Sequence, residues 1–255
     1  MTVSFNLGWL VATALLSIRV ATATALTAVF GPTQVPGAVR VLVASMLAGL
    51  MVSVGGFAAP QIETMGQLLV AGVGEALIGA ALALGFLAAY AATQVAGRVL
   101  DTQMGFGIAS IFNPATRDVS PLLGTVLGMA AISIFLAIDG HHQIIRALAL
   151  SIKSYPPGSS LSAMNAGALL LQSGLMFSFA LALAAPTMCM LLMADIAMAV
   201  FARSMPQLNI FVMGFAIKIM LGLIVLIGSI RLSLPVFNAL FRATFNYWSR
   251  IAVGA

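Results

Sequence analysis

Residues 76–97 read ALIGAALALGFLAAYAATQVAG, a stretch that contains no charged side chain. About 20 apolar residues in a helix cross the hydrocarbon core of a bilayer, so this stretch is long enough for one membrane span. Backbone groups in lipid must be paired within a helix or a closed barrel. The stretch lacks the alternation over about 10 residues that is typical of barrel strands. It therefore predicts an apolar α-helix.

The rest of the chain has the same character. Of its 255 residues, 62% are hydrophobic and 7% are charged, whereas soluble domains carry about 25% charged residues. Three more blocks, 41–62, 119–138 and 154–194, contain no charged residue. We therefore predict an all-α, polytopic membrane protein.

Six hydrophobic segments are predicted: 7–30, 38–58, 67–96, 121–138, 165–202 and 207–231. Segment 67–96 would reach ~45 Å as a helix, and segment 165–202 contains Pro186. Neither fits a simple perpendicular span. Six alternating passes would also leave Arg and Lys evenly divided between the two sides, against the usual excess on one side. The pattern indicates a membrane protein and leaves its topology open.

Charge and cysteine content exclude several classes of function. The net charge is +5, but the basic residues are scattered and form no stripe for nucleic acid. The single cysteine, Cys189, excludes an internal disulfide and a multi-cysteine metal site. Arg19 interrupts the first apolar stretch, so we expect a retained helix rather than a signal peptide. No cofactor is predicted.

Asp139-Gly140-His141-His142 is the one sequence that suggests a metal or proton-transfer site. Adjacent histidines point about 100° apart on a helix, and the chain has no other histidine. We interpret the sequence as a polar turn and predict no catalytic and no metal-ligating residue.

Four ionisable residues, Arg19, Glu75, Asp195 and Lys218, lie within or beside apolar stretches. Such groups are costly in lipid and normally face protein, a partner or water. An ion or proton relay is one interpretation. Pairing between helices or subunits is the one we favour, because the acids are far apart in sequence.

Residues 100–121, LDTQMGFGIASIFNPATRDVSP, join two apolar segments but are rich in Gly, Met and Phe. An exposed loop would normally be polar, and flexible apolar side chains can close a pore by excluding water. We predict a gate or plug loop here, with a loop tucked into its own core as the alternative. Its residues are Met104, Gly105, Phe106, Gly107, Ile108, Ile111 and Phe112.

The ordered motifs of the chain are similar to those of one protein family. They are Phe30-Gly31-Pro32 with Pro36 and Arg40, GEALIG at 74–79, DTQMGF at 101–106, LAIDGH at 136–141, and RSMPQLNIF at 203–211 followed by Gly214-Phe215 and Lys218. Together they resemble the FliR family of the bacterial flagellar type III export apparatus, which is related to the injectisome SctT family. Ala216 stands where many members have proline, which puts the local helix shape in doubt.

The resemblance covers nearly the whole chain and implies a single export-gate domain over residues 1–255. It implies hydrophobic helical hairpins packed with FliP and FliQ into a helical hetero-oligomeric gate, near FlhB and FlhA, in the inner membrane at the flagellar basal body. Exported flagellar proteins would be the substrates. The loop around Met104–Phe106 would match the family's plug. Further polar positions expected in packing or partner contacts are Asp101, Arg203, Gln207 and Asn209.

Two classes of function are therefore compared: a non-enzymatic subunit of a protein export gate, and a small-solute or ion transporter that works alone. A transporter should show a repeat, a balanced topology and a polar site at mid-depth, and these signals are weak here. The chain also has no Walker-type phosphate loop. The gate subunit is the function we predict.

Overall fold

The computed structural model describes residues 7–25, 36–55, 62, 64–106, 121–159, 166–204 and 210–253. These residues contain eight helices and no strand, which confirms the all-α prediction for the described part of the chain. The helices are α1 (Leu7–Ala25), α2 (Gly37–Gly55), α3 (Met65–Met104), α4 (Leu122–Ala137), α5 (Gly140–Ser154), α6 (Ala166–Ser204), α7 (Ile210–Gly228) and α8 (Ile230–Val253).

Two helices are far longer than one bilayer crossing requires. Helix α3 has 40 residues and α6 has 39, so each extends ~60 Å along its axis, about twice the ~30 Å hydrocarbon core. Runs of Ala and Leu favour unbroken helix, and α6 continues through Pro186. Both helices are longer than the segments predicted for them.

Helices α5 and α8 lie mostly outside the predicted hydrophobic segments, because charged residues interrupt their sequences. Helix α5 carries Arg146 and Lys153, and α8 carries Arg231, Arg242 and Arg250. Each buries only one face, with Ile144, Leu148 and Ile152 on α5 and Phe241, Trp248 and Ile251 on α8. These are amphipathic helices, which an average over hydropathy does not detect.

Four helices, α1, α2, α3 and α6, are long and apolar enough to cross a membrane. The number rises to six if the pairs α4–α5 and α7–α8 each count as one bent span. Helices α7 and α8 bend by 62° at their break. The chain is thus an all-helical protein of the membrane class.

The chain divides into two compact units. The first comprises residues 1–88, 138–173 and 242–255, and the second comprises residues 89–137 and 174–241. In the first unit α1 packs against α2. In the second, the Phe135 and Phe241 ring centroids lie 5.4 Å apart. That residues 1–255 form one functional domain stays a prediction.

In the first unit, the C-terminal helix is fastened to α3 by two aromatic side chains. The Tyr247 hydroxyl donates to the Ala81 carbonyl at 2.6 Å, and the Trp248 indole N–H donates to the Leu82 carbonyl at 2.8 Å. A Cβ at Gly85 would lie 2.5 Å from Trp248 Nε1. The absent side chain of Gly85 therefore makes room for the indole.

Candidate functional site

The segment predicted to be a gate, which we call the gate segment, starts with Met104 at the C-terminus of α3, in the second unit. Met104 is the last helical residue and is completely buried. Its side chain lies against the backbone of α7 at Gly222, where an added Cβ would come within 2.5 Å of Met104 Cε. Met104 is therefore packed into the helices rather than carried on a free loop.

Gly105 turns the chain out of the helix. Its φ is +87°, a conformation that glycine adopts easily and other residues resist. The Gly105 N–H donates to the Thr102 carbonyl at 3.2 Å, and the Phe215 ring of α7 occupies the place that a Cβ would need. Phe106 follows and is half-buried. The predicted gate residues Gly107, Ile108, Ile111 and Phe112 lie outside the described residues.

The other end of the gate segment is held beside α3. The Leu123 N–H at the start of α4 donates to Asp101 Oδ1 at 3.2 Å, and Gln94 Nε2 donates to the Gly124 carbonyl at 3.0 Å. Gly97 and Gly124 allow the two backbones to touch, because a Cβ on Gly97 would overlap the Gly124 backbone. Asp101 thus has a contact within the chain, and the start of α4 is held against the end of α3.

A separate, polar site lies inside the first unit and consists of a buried ion pair. Arg19 Nε of α1 donates to Glu75 Oε2 of α3 at 2.6 Å, and both side chains are almost completely buried. Charge-assisted hydrogen bonds of this length are among the strongest in proteins. The pair joins two apolar helices, in which the one other acidic residue is Asp101.

Neighbouring groups complete the hydrogen bonding of this pair. Arg19 Nη2 donates to the Tyr155 carbonyl at 2.9 Å and Nη1 to Ser151 Oγ at 3.3 Å. Glu75 Oε1 accepts from the Gly158 N–H at 3.1 Å. A buried pair depends on further hydrogen bonds to its remaining polar atoms, and here each guanidinium nitrogen and each carboxylate oxygen has at least one partner. The cluster thus ties α1, α3, α5 and the turn after α5 together.

The other two ionisable residues of the apolar stretches, Asp195 and Lys218, lie in the second unit. Lys218 Nζ of α7 lies 2.5 Å from Asp195 Oδ1 of α6, and their side chains are 23% and 36% exposed. Arg203, near the end of α6, is exposed. Gln207 and Asn209 lie outside the described residues. The partner contacts expected of these positions stay predictions.

Asp139, His141 and His142 come together at the junction of α4 and α5. Asp139 has φ +56°, and its Oδ1 lies 3.4 Å from His142 Nδ1. One ligand atom from each of the three residues lies within 4.8 Å of the others, so the group could hold a metal ion. Tetrahedral zinc, with bonds of about 2.0–2.1 Å to histidine, would require them closer. The expectation of a plain polar turn stays a prediction.

Several contacts of the site were not predicted from the sequence. Gly222 and Phe215 of α7 pack against Met104 and Gly105. Gln94 donates a hydrogen bond at the start of α4. Gly222 stands between Leu221 and Leu223, and a glycine between such large apolar residues is the one signal that could have indicated a close approach there. A phenylalanine in an apolar helix carries no such signal.

Comparison with known proteins gives a consistent result. Residues 10–244 match the family described as bacterial export proteins, family 1. The chain is 30% identical over 191 residues to the flagellar biosynthetic protein FliR of Bacillus subtilis, covering 73% of this chain and 74% of that one. It is 33% identical over 175 residues to the FliR of Escherichia coli K12, covering 68% and 67%. It is also similar to the Yop proteins translocation protein T of Yersinia pestis, at 29% over 151 residues, covering 56% and 58%.

Proposed function

The chain belongs to family 1 of the bacterial export proteins, and on this basis we propose that it is a non-enzymatic subunit of the flagellar type III export gate. It helps to form and seal the conduit that passes flagellar proteins across the inner membrane. The observation that carries the proposal is the match over residues 10–244, which includes most of α1 and of α8 and every described helix between them. Relatives named FliR support the flagellar assignment.

Much of the apolar surface of two described helices is exposed in the isolated chain. In the most apolar 18-residue stretch of α2 only 17% of the residues are buried, and in that of α6 only 28% are buried. An apolar helix surface of this kind requires lipid or protein to cover it. We propose FliP and FliQ as the subunits that pack here, with FlhB and FlhA nearby, in the inner membrane at the flagellar basal body.

We assign the seal to the segment that follows α3. Met104 and Gly105 give it a fixed starting point against α7, and Asp101 and Gln94 hold the start of α4 at its other end. A segment anchored at both ends can obstruct a conduit while its helices stay in place. The gate residues from Gly107 to Phe112 supply the apolar side chains that exclude water.

The test of the export function is deletion of the gene in the bacterium that encodes it. We expect loss of secreted hook and filament proteins from the medium, restored by the wild-type gene. An affinity-tagged chain should also co-purify with the FliP and FliQ of the same cell. Normal secretion in the deletion strain would overturn the proposal.

The seal is tested separately, by ion leak across the inner membrane after deletion of residues 105–111 with the partner proteins present. We expect increased leak with an intact complex. No leak with an intact complex would overturn the gate assignment and leave the export role standing. Because complex assembly is measured in the same cells, loss of the complex would assign the segment to assembly and overturn the sealing role as its main one.

A further inference from the structure

An apolar cavity of 340 Å³ lies within the first unit, between α1, α2 and α5. Its volume falls in the range of about 300–1,000 Å³ that is usual for ligand sites. None of the described residues that line it carries a carboxylate. They are Thr24, Val39, Arg40, Val43, Ala44, Leu47, His141, Ile144, Ile145 and Leu148.

The interior of the cavity suits hydrocarbon rather than water. A buried water needs two to four polar partners, and most of the wall is aliphatic. The Thr24 hydroxyl donates to the Val20 carbonyl at 2.7 Å, so it is satisfied within its own helix. Val39, Val43 and Ile145 are 45–47% exposed, which means that the cavity opens to the protein surface.

The polar and apolar parts of the wall are separated along the helices. Arg40 lies in the first turn of α2 and His141 in the first turn of α5, whereas Leu47 and Leu148 lie seven residues further along the same helices. Seven residues correspond to about 10 Å. Among the described wall residues, the basic ones therefore lie in the first turns of α2 and α5, and those further along these helices are all aliphatic, as a phospholipid would require.

The basic end is suited to a phosphate. The Arg guanidinium presents its donors in a fork that matches phosphate oxygens, and basic pockets between membrane helices bind anionic headgroups. Arg40 and His141 each belong to the first turn of a helix, where the helix dipole also favours an anion. We propose that the cavity binds an anionic phospholipid, with an acyl chain between α2 and α5 and the phosphate against Arg40 and the His141 ring.

The test is native mass spectrometry of the full chain in mild detergent, with equal amounts of dioleoyl-phosphatidylglycerol and dioleoyl-phosphatidylcholine. We expect the wild-type chain to retain phosphatidylglycerol in preference. The Arg40→Gln variant should lose that preference by roughly fivefold, the factor expected for one basic side chain near an anionic headgroup. Arg146→Gln removes an exposed charge from α5 outside the cavity and should keep the wild-type preference.

A cavity-filling variant tests the acyl chain independently of the headgroup. Ala44 lines the cavity and is 2% exposed, so Ala44→Leu should reduce retention of both lipids. A melting curve identifies a variant that fails to fold, in which case the comparison of Arg40→Gln with Arg146→Gln still decides. Equal retention of the two lipids by the wild-type chain, or equal behaviour of the two arginine variants, would overturn the proposal. Displacement of the lipid on addition of the partner proteins would assign the cavity to a protein segment and overturn it also.

Discussion

Arg19 and Glu75 show what an apolar helix requires in order to contain a charge. Each has the other as its counter-ion, and backbone or hydroxyl groups hydrogen-bond to the other two guanidinium nitrogens and the other carboxylate oxygen. Removing one partner of such a pair leaves a buried charge without compensation, which costs about 3–5 kcal/mol. We expect Glu75→Gln to lower the melting temperature of the purified protein strongly, measured in one detergent.

The matched control is the more exposed pair of the second unit. Asp195→Asn breaks a less buried contact, with side chains 23% and 36% exposed, and should lower the melting temperature less than Glu75→Gln does. The double variant Arg19→Met with Glu75→Leu should recover part of the stability lost by Glu75→Gln, because neither charge remains. Equal melting temperatures for Glu75→Gln and the wild type would contradict this interpretation.

Gly105 is the residue on which the direction of the gate segment depends. At φ +87°, a side chain costs about 1–2 kcal/mol, and the Phe215 ring would also have to move. We therefore expect Gly105→Ala to lower the melting temperature and to increase ion leak in cells. Gly174→Ala is the control, since an added Cβ there meets nothing within 4 Å and alanine favours the helix. Equal melting temperatures and equal ion leak for Gly105→Ala and Gly174→Ala would contradict this role of Gly105.

At the level of elements, the contact between α3 and α4 depends on two glycines that allow the backbones to touch. A methyl group at Gly97 would overlap the Gly124 backbone, which cannot move aside as a flexible side chain can. Overpacking of this kind costs about 1–3 kcal/mol. We expect Gly97→Ala to lower the melting temperature of the purified protein in thermal unfolding.

The control for Gly97 lies on the same helix. Gly66 is near the start of α3, and an added Cβ there has no neighbour within 4 Å. Gly66→Ala should be neutral or slightly stabilising. If Gly97→Ala behaves in the same way, the close contact of α3 and α4 does not exist in the native protein.

The sequence allows the apolar helices to be predicted, because long uncharged runs have few alternatives in a membrane. It did not predict α5 and α8, whose charges interrupt those runs although one face of each is buried. Among the candidate residues, Arg19 and Glu75 were expected to pair with some partner. They pair with each other across 56 residues because of the way in which α1 and α3 pack. A hydropathy pattern carries no information about that packing. The same limit applies to Phe215 and Gly222.

At the level of the whole molecule, the exposed apolar face of α6 predicts that side chains on this helix become inaccessible to reagents when the complex assembles. Cys189 lies on this helix, is exposed and is the single cysteine of the chain. We expect a maleimide to label it readily in the isolated protein in detergent, and far more slowly in the purified complex in the same detergent. Cys189→Ser should abolish labelling and so verify that the signal comes from this position. Equal labelling rates would mean that α6 around Cys189 faces away from the partner subunits.

The fastening of α8 to α3 also has an optical consequence. The chain contains two tryptophans: Trp248 is buried and hydrogen-bonded to α3, whereas Trp9 is 42% exposed. Replacing Trp9 by phenylalanine would leave a single emitter at the junction of the two helices. Its fluorescence would shift to longer wavelength when the indole meets water, so detachment of the C-terminal helix could be followed in real time without any attached dye.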